Sequence, residues 1–94
     1  MAWYRIVMEC SGVPPDAGAT GANDIMEAFT RRPWHQNVRC TWDGVRLTLT
    51  AENDFDRKGL ALMDEFSDEM SACISRGFNG DLRIVSITEV TPKA

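Results

Sequence analysis

This chain of 94 residues has only one histidine, one tyrosine and three widely spaced cysteines. Cys10, Cys40 and Cys73 never fall in a Cys-x-x-Cys spacing, and an odd number cannot all pair internally. This excludes a full disulfide framework and a zinc ribbon, and the expected setting is soluble, reducing and cytoplasmic. A single histidine, His35, leaves nothing from which a Ser-His-Asp arrangement could be built near a serine, and no nucleophile-elbow context surrounds any serine. Gly-x-Gly-x-x-Gly and Gly-x4-Gly-Lys-Ser/Thr spacings are missing, so no nucleotide cofactor is expected. No apolar run approaches the ~18 residues of a membrane span. The start Met1-Ala2-Trp3-Tyr4-Arg5 lacks a secretory hydrophobic segment, and no membrane contact is expected. A basic excess is also lacking. Ten Lys and Arg against 14 Asp and Glu give a net charge of −4, which argues against a generally basic nucleic-acid binder.

What is present is an ordinary globular balance, 44% hydrophobic and 26% charged, in a length that suits one domain over residues 1–94. Tyr4, Ile6, Met8 and Cys10 alternate with Trp3, Arg5, Val7 and Glu9, predicting a first strand over Trp3 to Cys10. Ser11 to Ala22 is rich in Gly, Pro and Ala and reads at least partly as loop. Ala22, Ile25 and Phe29 make one helical stripe, so a first helix is expected over Asp24 to Arg32, ended by Pro33. Asn23 or Thr20 is a candidate cap, and Pro15 is an alternative opening with a helix from Asp16.

Two further alternating runs flank Asp43-Gly44, a preferred two-residue hairpin turn. That turn would oppose Trp42 to Val45, Cys40 to Leu47 and Val38 to Leu49, all on one face. A second helix is expected from about Phe55 to Arg76, capped by Asn53 or Asp54. Its apolar stripe is Gly59, Leu62, Met63, Phe66, Met70, Cys73 and Ile74. Gly77 fits a left-handed helix end followed by Phe78. Leu82 to Val90 reads as a last strand whose facing is ambiguous. The order βαββαβ predicts an α+β, ferredoxin-like sandwich: an antiparallel sheet ordered 4-1-3-2 with both helices on one face. A meander with a helix packed across it is the rival arrangement.

In that architecture one sheet face stays open. Parity sends Trp3, Arg5, Val7 and Glu9 there, with Arg39, Thr41, Arg46, Thr48 and Thr50. Arg83 would join them and carry Val85 and Ile87 along. Residues 1–50 hold five bases and five acids, whereas 51–94 hold five bases and nine acids. The molecule should therefore be two-sided, basic over the sheet and acidic over the second helix.

Three uses of the open face compete. A plain solvated surface is common for antiparallel sheets. A homodimer or partner-docking face would place Trp3, Val7, Val85 and Ile87 at an apolar centre rimmed by arginines. Single-stranded nucleic acid needs stacking aromatics on the central strands, and Val45-Arg46-Leu47-Thr48-Leu49-Thr50 offers none, so this use is disfavoured.

Two other regions are candidate sites. The Gly/Pro-rich loop of residues 11–20 is a candidate small-ligand sensor, though Asp16 and Asp24 oppose an anion and a plain connector explains it as well. At the opposite edge His35 is expected to face Glu52 outward, with Asp54 close by, a candidate metal or acid–base site that capping and cross-strand pairing explain equally. The reading leans away from an enzyme. It favours a small binding or assembly module with no cofactor, whose partner is itself or another protein and whose binding residues are Trp3, Arg5, Val7, Arg39, Arg46 and Arg83.

Overall fold

Alternation at a period of two and stripes at a period near 3.6 fold as expected in kind, with shifted ends. The computed structural model describes residues 2–74 and 80–90. They form β1 (Trp3–Cys10), α1 (Gly18–Phe29), β2 (Gln36–Trp42), β3 (Leu47–Asn53), α2 (Leu60–Cys73) and β4 (Leu82–Val90). The chain is α+β, with four antiparallel strands ordered β2-β3-β1-β4, the expected order read from the other edge.

Ile6, Met8 and Cys10 of β1, Cys40 of β2, and Leu47, Leu49 and Ala51 of β3 point to one face. There they meet Ala22, Ile25 and Phe29 of α1 and Leu62, Phe66 and Met70 of α2 in one continuous buried core. Both helices therefore cover the same face. The residues of opposite parity, Arg5, Val7, Glu9, Arg39, Thr41, Thr48 and Thr50, stay exposed or half-buried.

The hairpin departs from expectation. Trp42 pairs with Leu47, Cys40 with Leu49 and Arg39 with Thr50, two residues out of the expected register. The connection is a loop of Asp43, Gly44, Val45 and Arg46 rather than a two-residue turn. Asp43 Oδ1 accepts the amides of Val45 at 2.8 Å and Arg46 at 2.7 Å, and Gly44 takes φ +98. These bonds close the wider loop, and they hold the Asp43 carboxyl below its usual range. A slip of two preserves the faces, so the inward set survives while Val45 and Arg46 leave the strand.

Helix α1 starts at Gly18 with neither Asn23, Thr20 nor Asp16 at its cap, and ends at Phe29 rather than Arg32. Thr30, Arg31 and Arg32 instead donate their amides three residues back, a tight last turn that precedes Pro33. Gly18 is obligatory here, because a Cβ on it would overlap the Trp42 indole.

Helix α2 starts at Leu60, not Phe55. Asn53 Oδ1 accepts the amides of Phe55 and Asp56, making a turn before the helix. Gly59 then takes φ +75 against Ile84, Ile87 and Ile6, and the buried Asp56 carboxylate accepts the amides of Ala61 and Leu62. Asp56, rather than Asn53 or Asp54, supplies the carboxylate that caps the helix. The expected helix end at Arg76, Gly77 and Phe78 lies outside the described residues.

Strand β4 carries a bulge. Ile87 pairs with Ile6 and Ser86 with Val7, but Met8 pairs with Ile84, leaving Val85 as the extra residue. Leu82, Ile84 and Ile87 consequently all pack on the core. Ile87 is therefore not part of the open face, and Arg83 and Val85 reach solvent without carrying it out.

Candidate functional site

The open face of the sheet gathers most of the residues singled out from the sequence. Trp3, Arg5 and Val7 follow one another along β1, Arg39 stands on β2, and Arg83 on β4 lies beside Glu9. Arg46 sits in the hairpin loop at the end of this face rather than within a strand.

The face is less basic than its arginines suggest. Arg5 Nε is 2.8 Å from Glu52 Oε2, and Arg83 Nη2 is 2.8 Å from Glu9 Oε1 with Nε donating to the same oxygen at 3.2 Å. Asn37 Nδ2 donates to the other oxygen of Glu52 at 2.9 Å, from a residue held at φ +53 by the irregularity in β2. Exposed pairs of this kind add only ~0.2–1 kcal/mol each to stability. Their larger consequence is electrostatic, since two of the arginines are neutralised in place. Between the pairs lie Val7, Thr48, Thr50, Ser86 and Thr88, with half-buried Trp3 at one end and exposed Val85 on the β4 edge.

The candidate metal edge is not assembled. His35 does not face Glu52. Gln36 does, and the His35 side chain turns inward to 0% exposure. Its Nε2 lies 2.8 Å from Glu65 Oε1 on α2, and its Nδ1 lies 3.2 Å from Asn53 Nδ2. Because Asn53 Oδ1 already accepts two backbone amides, its Nδ2 is the end that meets the ring. Nδ1 therefore accepts and Nε2–H donates to Glu65.

Glu65 also takes Arg32 Nε at 3.0 Å and Trp34 Nε1 at 3.2 Å, while Arg32 Nη1 reaches Glu69 at 2.7 Å. Phe29, Trp34 and Phe55 surround the imidazole. Asp54 is exposed and Glu52 is turned to the opposite face. Among the described residues no group of three or more His, Cys, Asp or Glu is placed to hold a metal ion.

Glu65 and Asn53 were not legible as partners of His35, nor Glu69 as a partner of Arg32. The available signal was a pair of acids four apart on one helix, together with the rule that a buried imidazole needs partners for both nitrogens. The network acts as a brace joining the ends of α1, β2 and β3 to α2. With both ring nitrogens occupied and the ring sealed from solvent, it presents no free acid or base to a substrate.

Two of the three thiols are closed off as well, while Cys73 on α2 is half-buried. Cys10 and Cys40 are buried, and burial, reinforced by the neighbouring Cys73 and Cys10, pushes the Cys40 thiol up to about 12. Burial, helped by Asp81, pushes Cys10 up to about 11. Neither supplies a thiolate near neutrality. In the loop of residues 11–20, Gly18 serves contact with Trp42 and the next glycine, Gly21, serves close approach to Ile74. Packing thus accounts for both without a ligand.

No helix among the described residues is long and apolar enough to cross a membrane. Comparison of the chain with protein-family models, with curated proteins and with solved structures gives no match.

Proposed function

We propose that this chain is a small non-catalytic assembly module, a single ferredoxin-like domain that docks a second copy of itself through its open sheet face in the reducing setting that suits three unpaired cysteines. The observation that carries this reading is the make-up of the face. Acids and bases of both signs are already paired around a neutral strip of Val7, Thr50 and Ser86. Pre-paired charges lose less on desolvation than bare ones, which suits a protein partner. The same pairing counts against nucleic acid, as does the lack of an aromatic on β3. In this arrangement Trp3 and Val7 act as apolar anchors, Arg5 and Arg83 as charge contacts, and Arg39 and Arg46 as rim residues.

Four strands at ~4.8 Å spacing and ~3.3 Å rise per residue present about 400–500 Å² per copy, in the range of weak complexes. Association is therefore expected in the range of tens to hundreds of micromolar, roughly. Sedimentation velocity over that range should show the mass rising from monomer toward dimer, and Val7→Glu should hold it at monomer. A wild-type chain that stays monomeric at the highest concentration refutes the reading.

A further inference from the structure

Resting on that reading, we infer that the two copies meet about a two-fold axis that crosses β1 at Val7 and runs across the strands, so that Arg5 of each copy faces Glu9 of the other. Along β1 the open-face residues read Trp3, Arg5, Val7, Glu9, and the charges are antisymmetric about Val7. Two sheets packed face to face can be related by an axis along β1 or by one across it. An axis along β1 sets Arg5 on its own copy and Glu9 on its own copy, repelling twice. An axis across β1 sets opposite charges together twice, with Val7 meeting Val7 between them.

The neighbouring strands accept the second arrangement. Thr50 and Ser86, the lateral partners of Val7, lie on the axis as small neutral side chains. Glu52, beside Arg5, falls opposite the threonine beside Glu9, Thr48. Arg83, beside Glu9, falls opposite Thr88, beside Arg5. Each intrachain pair thus joins an alternating group: Glu52 and Arg5 of one copy, then Glu9 and Arg83 of the other. One unfavourable contact comes with this geometry. Arg39 pairs laterally with Thr50, lies on the axis line at the β2 edge, and meets its own copy there.

The test uses two charge-exchanged chains, Arg5→Glu with Glu52→Arg, and Glu9→Arg with Arg83→Glu. Each keeps its intrachain ion pair with the signs reversed, and Glu52→Arg in addition gives up the hydrogen bond from Asn37. Alone, either chain sets like charges across the axis, and its self-association should weaken at least roughly tenfold. Mixed in equal amounts, the two should associate with each other about as tightly as wild type with itself, because opposite charges again face across both contacts. Arg39→Ser should tighten the wild-type dimer. Far-ultraviolet circular dichroism and thermal melting verify that each chain is folded. Should an exchanged chain fail that control, Arg39→Cys decides: an axis across the strands brings Arg39 onto its own copy, where a short bismaleimide should link it, whereas an axis along β1 carries it past the β4 edge and leaves it as unlinked as Thr41→Cys.

A wild-type dimer whose exchanged variants still self-associate, or whose variants fail to associate on mixing, overturns this axis while leaving docking through the open face intact. A dimer unaffected by any open-face change, or no dimer at all, overturns the reading beneath it.

Discussion

Two residues show how local choices here answer to distant atoms. His35 is tied to Glu65 and Asn53, and Asn53 is oriented by the amides of Phe55 and Asp56, so a run of hydrogen bonds fixes which ring nitrogen carries the proton. Long-range nitrogen–proton correlation spectra at neutral pH should show the Nε2–H tautomer. The opposite tautomer would contradict this order of donors and acceptors. His35→Ala would leave the Asn53 amide and part of Glu65 without partners beside a new cavity, a cost of about 2–4 kcal/mol in urea unfolding. Gly18→Ala should also destabilise, by roughly 1–3 kcal/mol, because its Cβ would fall within the Trp42 ring. Neither effect is legible from sequence. A glycine in a loop-rich stretch reads as a turn residue, and its true role appears only once the tertiary fold lays an indole across it. The buried thiols, by contrast, were legible, since inward parity in β1 and β2 assigned Cys10 and Cys40 to the core.

At the scale of elements, periodicity was readable wherever the backbone kept it. In β2 and β3 the expected register was wrong by two, yet an even slip keeps the faces of the paired run from Arg39 to Trp42, and the two residues assigned to the wrong side, Val45 in the loop and His35 before the β2 irregularity, lie outside that run. A β4 bulge breaks the period, which is why no single parity could satisfy both Arg83 outside and Ile87 inside. The start of α2 misled for a different reason. Asn53 and Asp56 are both residues that cap helices, but the first caps a turn and only the second caps the helix, with Gly59 bending the chain between them. If Val85 is an inserted residue and nothing more, its deletion joins Ile84 to Ser86, and the pairings of Met8 with Ile84 and Val7 with Ser86 become consecutive. Deleting Val85 should therefore leave a cooperative melt within about 5 °C of wild type. Deleting Ile87 instead would draw Thr88 into the place opposite Ile6, turn a hydroxyl into the core, and lower the melt by far more. Equal losses for the two deletions would contradict the bulge.

At the scale of the whole molecule, the described residues form a sheet sealed on one side and open on the other, and its charge follows that division less simply than a count of residues suggests. Acids on α2 are drawn inward by Arg32, and bases on the sheet are held by Glu9 and Glu52, so the expected contrast between a basic face and an acidic one is blunted. The sealed side has a titration signature. Folding raises the Cys40 thiol from its ordinary 9.0 to about 12 and Cys10 from 9.0 to about 11, through burial first. For a raised pKa the folded chain retains protons that the unfolded chain releases. The contribution to stability is complete below pH 9 and is lost as pH climbs toward 11 and 12. Urea midpoints should accordingly fall as pH rises above 9, and Cys40→Ala should flatten part of that fall relative to its own value at neutral pH. Alkylation gives the same quantity kinetically. Iodoacetamide should modify half-buried Cys73 first, while Cys10 and Cys40 react only at a rate that tracks global unfolding and rises in step with urea. Were Cys10 or Cys40 to react as fast as Cys73 in the absence of urea, the sulfurs would be reachable without unfolding, and the side of the sheet beneath the helices would not be sealed.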